Sequence, residues 1–144
     1  MHTPATTAPL DMSPDAVEAR IRDAAIAEAA TIDVGFVNSF RQIQARVQAN
    51  AAAKGFWFEG QTRNKAEMIA LMHSELSEAL EAIRHGNPAD KHCPEFDNLS
   101  IELADTVIRI MDFAQGFNLP VAEAIVAKTL FNATRPLMHG GKAF

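Results

Sequence analysis

Apolar residues recur at alternating steps of three and four along much of this chain, the spacing that keeps one side of an α-helix apolar. One stripe runs Ile69, Met72, Leu76, Ala79, Ile83, and a second runs Leu99, Leu103, Thr106, Ile110, Phe113, Phe117. Capping signals bound the elements. Ser13 followed by Pro14 opens a helix predicted to run through an Ala-rich stretch to about Ala30. A second helix is predicted from near Asp33 to Lys54, ending at Gly55, with Phe36, Phe40, Ile43 and Val47 on one face. After the loop GFWFEGQTRN come a helix from about Lys65 to His85, stopped by Gly86, and one from an Asn98 cap to Gln115, stopped by Gly116. The last opens with Pro120 and closes before Pro136, leaving PLMHGGKAF. Residues 1–13 show no periodicity and read as a flexible tail. No stretch alternates as a strand would, and there is no internal repeat. The predicted fold is all-α, a single domain over residues 14–144. Its core is of the four-helix-bundle type, with an accessory N-terminal helix.

Two carboxylate pairs border these stripes in the same way, Glu75 with Glu78 and Glu102 with Asp105. Each acid stands one residue before a stripe position, about 100° of helix rotation away, which predicts all four on the rim of the buried face. If the two helices pack antiparallel, the rims meet and four oxygen ligands converge. Acids three apart are also common on solvated faces, and this chain has such pairs at Asp15/Glu18 and Glu78/Glu81. Position separates the cases, because like charges beside a packed seam repel and lose hydration, and a cation relieves both. Oxygen-only donors favour a hard ion: Mg²⁺ first, Mn²⁺ next, Ca²⁺ as a further candidate. Di-iron bundles use Glu-x-x-His pairs, and neither acidic pair has that form.

Composition narrows the partners. At 144 residues, 48% hydrophobic and 22% charged, the chain suits one domain burying about two thirds of its unfolded surface. A net charge of −5 argues against binding of polymeric nucleic acid, which rewards a basic patch. The single cysteine, Cys93, cannot form an intramolecular disulfide and fits a reducing compartment. With no apolar run long enough for a membrane span and no signal-peptide pattern, a cytoplasmic protein is expected.

The combination SELSEALEAIRHG followed by IELADTVIRIMD, with twenty-three residues between Glu78 and Glu102, resembles the Glu-x-x-Glu, spacer, Glu-x-x-Asp signature of MazG-like, all-α nucleoside triphosphate pyrophosphohydrolases. The resemblance extends from about Phe36 to Phe144, through KGFW and the ending KTLFNATRPLMHGGKAF. It implies hydrolysis of a nucleoside triphosphate to the monophosphate and pyrophosphate, with Mg²⁺ held by Glu75, Glu78, Glu102 and Asp105. It also implies nucleotide contacts from Lys128, Asn132, Arg135, His139 and Lys142, and a homodimer or dimer of dimers. Where family members often carry an aromatic and a basic residue between the proline and the histidine, this chain has Leu137 and Met138.

The residues themselves point the same way. Lys128, Asn132 and Arg135 recur at steps of four and three on one helix face, where cationic donors suit a triphosphate and where basic residues also serve as ordinary dipole partners. HGGK neither follows a strand nor opens a helix, so it is not a P-loop. Trp57, between Phe56 and Phe58, is a candidate for stacking on a base, against the alternative of plain packing. His73, His85 and Cys93 receive no role. Glu78 is the candidate proton acceptor among the four acids. The competing reading is a non-catalytic helical interaction module whose acidic rim docks a basic partner.

Overall fold

The computed structural model describes residues 13–133, without the side chains of residues 14, 15, 18, 19 and 21–32. The tail predicted over 1–13, apart from Ser13, lies outside the described residues, as does the closing segment with Arg135, His139 and Lys142. Four helices follow one another: α1 Pro14–Ala53, α2 Lys65–Arg84, α3 Asn98–Gly116 and α4 Val121–Ala133. Ser13 caps α1 by accepting from the Ala16 amide at 3.4 Å. Asn64 caps α2 through the Ala66 and Glu67 amides at 2.9 and 3.3 Å. Asp97 caps α3 through Ser100 N at 2.8 Å, one residue before the predicted Asn98.

The accessory helix and first core helix predicted as separate elements are one 40-residue helix. The physical reason is continuity: no proline stands between Pro14 and Pro88, and neither Asp33 nor Gly35 is flanked by a residue that breaks the hydrogen-bond ladder. Gly86 takes φ +79° to end α2, as predicted. Gly116 acts differently. It stays helical, and Asn118 takes the left-handed turn at φ +52°. A Cβ on Gly116 would lie 2.1 Å from the ring of Trp57, so this glycine admits a close neighbour.

Contacts run in a series: α2 against α3, α3 against α1, α1 against α4. Phe40, Met111 and Ala122 join these last three elements, flanked by Val37, Val47 and Val121. Gln44 of α1, which is buried, donates from Nε2 to Oε1 of the exposed Gln115 of α3 at 2.8 Å. Arg41 of α1 is ion-paired with Glu123 of α4.

The helices are turned about one residue from the predicted faces. α2 buries Met68, Met72, Glu75, Ala79 and Ala82, while the predicted core residues Ile69, Leu76 and Ile83 are exposed. α3 buries Glu102, Thr106, Met111 and Ala114 and exposes Leu103. On α1, Gln44 is buried, and Phe36 and Ile43 are exposed. Small and flexible residues let α2 and α3 approach closely, so the seam is lined by Met, Ala and Thr around two glutamates. The branched side chains are left outside.

Candidate metal centre

The rotation of α2 and α3 decides the site. The sequence pattern predicts four acids on equal rims, whereas Glu75 and Glu102 are buried in the seam, Asp105 is half-buried and Glu78 is exposed. Helical spacing carries the set: Glu75 and Glu78 lie one turn apart on α2, and Glu102, Asp105, Arg109 and Asp112 follow at steps of three, four and three on α3. Antiparallel packing of the two then brings Glu75 and Glu102 together although twenty-six residues separate them in the chain.

Ligand atoms of Glu75, Glu78 and Glu102 lie within 4.8 Å of one another. Oxygens on opposite sides of one octahedral Mg²⁺ stand about 4 Å apart, so modest side-chain rotations suffice to enclose an ion. Carboxylate oxygens are the hard donors such a cation takes. Asp105 is not part of this group of three. The electrostatics agree with an anionic cluster short of positive charge. Burial, then the charges of Glu78, Glu75 and Asp105, push the Glu102 carboxyl above the ordinary glutamate range. Burial and Glu75 also raise Asp105, with Arg109 opposing.

Two basic residues that line the same cavity as Glu75 and Asp105 escaped the sequence reading. Arg109 donates from Nε to Glu75 Oε1 at 2.5 Å, its side chain 41% exposed against 8% for Glu75. Arg63 reaches Asp112 at 3.5 Å and lies over the rings of Trp57 and Phe56, 5.1 and 5.9 Å from their centroids. The Asp105–Arg109 spacing is the one signal that marks Arg109 in the sequence. Nothing local announces Asp112, whose partners come from the loop before α2.

Beside the acids lies a cavity of about 400 Å³ lined from α1, α2 and α3 and the loop between α1 and α2, with Glu75, Asp105, Arg109, Lys54, Phe56 and Arg63 among its lining residues. Its remaining wall is largely apolar, including Val47, Met68, Leu71 and Ile108. Phe56 faces this space. Trp57 lies outside that lining, donating Nε1–H to Asp112 at 2.7 Å and meeting Phe117 edge-on at 5.7 Å between centroids. Its ring is a packing element fitted over Gly116.

The predicted nucleotide contacts of α4 are not gathered here. Lys128 lines a separate shallow hollow with Val121, Ile125 and Phe131, its ammonium 4.6 Å from the Phe131 ring centroid. Asn132 is exposed near the end of the same helix. His85 donates from Nδ1 to the Glu81 carbonyl, 2.9 Å away, on the exposed end of α2. Cys93 is half-buried in the loop between α2 and α3, its amide donating to Asp90 at 2.7 Å. Among the described residues no helix is long and apolar enough to cross a membrane. Comparison with protein-family models, with curated proteins and with solved structures returns no match.

Proposed function

We propose that this protein is a Mg²⁺-dependent nucleoside triphosphate pyrophosphohydrolase of the MazG-like type, with Mn²⁺ as an alternative metal, releasing monophosphate and pyrophosphate. The observation that carries the reading is the convergence of Glu75, Glu78 and Glu102 beside a cavity that is cationic at its edges and apolar along its wall. The order of the acids along the chain, which resembles that of the MazG-like enzymes, adds to it.

A divalent ion held by the three glutamates would neutralise phosphate charge and acidify an attacking water. Asp105, left outside the group of three, is the acid free to accept that water's proton, in preference to Glu78. Phe56 and the apolar wall suit a base or sugar face, with Asn50 offering an amide at the rim. Lys128, Asn132, Arg135, His139 and Lys142 remain the residues assigned to the nucleotide by resemblance. Because Lys128 sits on the helix packed against α1, away from the acids, its part is supplied by a second copy of the chain. The exposed apolar row Ile69, Leu76, Leu80, Ile83 on α2 is the contact surface assigned to that copy, giving a homodimer or a dimer of dimers.

Incubation with a panel of canonical and modified nucleoside triphosphates and Mg²⁺, resolved by ion exchange without added pyrophosphatase, tests the assignment. Monophosphate with pyrophosphate is the expected product pair. Diphosphate with orthophosphate, or no turnover across the panel, would overturn it.

A further inference from the structure

Arg109 sits at the junction of the acids and the cavity, and its pairing there is unequal. Its Nε donates to Glu75, which is fixed in the α2/α3 seam, while the guanidinium is two-fifths exposed and borders the open space. The arginine is the movable partner. The other basic groups of the cavity wall differ: Arg63 is engaged by Asp112 and by two aromatic rings, and Lys54 lines the cavity from the end of α1. A guanidinium presents two parallel donors and binds carboxylate and phosphate by the same fork.

We propose that Arg109 is a phosphate-binding residue held in reserve by Glu75: a divalent cation that takes Glu75 displaces the guanidinium, which turns into the cavity and binds the polyphosphate of the substrate. The inference rests on the metal reading above. While Arg109 occupies Glu75 it competes with the metal; once released it adds a cation where phosphate must lie. Metal and polyphosphate therefore bind with positive coupling, and by linkage each raises the affinity for the other by the same factor.

Two affinities read this out without turnover: Mn²⁺ binding to the full chain by calorimetry, and binding of inorganic tripolyphosphate, added as its Mn²⁺ complex, to Mn²⁺-saturated protein. In Arg109→Gln the competitor for Glu75 is gone, so Mn²⁺ should bind about fivefold more tightly, while tripolyphosphate should bind about tenfold more weakly. Arg109→Lys keeps the charge without the fork. It should leave Mn²⁺ affinity near that of the wild type and weaken tripolyphosphate by an intermediate amount. Opposite shifts in the glutamine variant are the required result, because a merely structural role for Arg109 would weaken both. Unchanged affinities, or a loss of both in Arg109→Gln and Arg109→Lys, overturn the proposal and leave the metal site standing. Absence of Mn²⁺ binding by the wild type overturns the metal reading together with it.

Discussion

The two faces of α2 are built on opposite rules. The row turned to α3 carries Glu75 among Met68, Met72, Ala79 and Ala82, whereas the row one residue further round the helix carries Ile69, Leu76, Leu80 and Ile83, each exposed. In an ordinary two-layer protein the branched residues would fill the seam and the glutamate would face water. The α2/α3 seam instead holds two buried glutamates, Glu75 and Glu102. Burying a carboxylate costs free energy unless an opposite charge or hydrogen bonds compensate, and here Arg109 pairs with Glu75 and acts on Asp105, while Glu102 meets burial and other acids. The four outer residues keep 41–57% of their surface exposed in the single chain.

If the inner face is a metal centre, its disruption should have the largest effect of any change. Glu75→Gln or Glu102→Gln is expected to lower Mg²⁺-dependent turnover by more than about a hundredfold, while Glu59→Gln and Glu95→Gln, in loops outside the α2/α3 seam, change it little. Steady-state assays of the four variants check this, and equal losses in both pairs would dissolve the distinction between seam and surface.

The outer face should respond through assembly. Leu76→Asp with Ile83→Asp is expected to convert the proposed dimer to a monomer by sedimentation equilibrium, with the helical circular dichroism retained. A monomeric wild type would end this half of the comparison.

Between the two in chemistry, and smaller in effect, is the seat of Trp57. Gly116→Ala places a methyl group where the indole lies, and should destabilise by about 1–3 kcal/mol while shifting the fluorescence of the chain's single tryptophan. Unaltered denaturant midpoint and emission would mean that Trp57 is not held by Asp112 and Phe117.

The smallest effect is the pH response of the metal-free fold. Glu102 and Asp105 are raised in the folded state, so their contribution to stability is full below the ordinary carboxylate range and is lost as pH rises through the raised values. Asp90 and Asp97 have the opposite sign: backbone donors from Cys93 and Ser100 respectively lower them, and their stabilisation fades only as pH falls through those lowered values. Glu102→Gln should therefore raise the metal-free melting temperature by a few degrees at pH 7, a gain that vanishes toward pH 4. A gain independent of pH would exclude the charge of Glu102 as its cause.

Much of this organisation was legible in the residues. Ser13 precedes α1 with the side-chain acceptor that orphan amides require, and Gly86 ends α2 because only glycine enters that conformation without strain, whereas the cap of α3 is Asp97 in place of the expected Asn98. The helical spacing of Glu75 with Glu78 and of Glu102 with Asp105 was likewise readable. The boundary expected near Asp33 was not real, since a capping residue begins a helix only where the preceding backbone has left it.

Most helix ends and the spacing within each helix follow from local sequence, to within a residue or two, because they depend on hydrogen bonds and rotamers among near neighbours. That is how far the sequence alone determined this protein: an all-helical chain with two acidic pairs at helical repeats. Which face each helix buries was decided by the tertiary structure. Periodicity marks two adjacent apolar rows on α2 almost equally, and only packing against α3 distinguishes them. Tertiary packing also put Arg109 on Glu75 and Trp57 on Asp112, pairs separated by 34 and 55 residues. Such contacts depend on the rotation and register of packed helices, which no local pattern encodes.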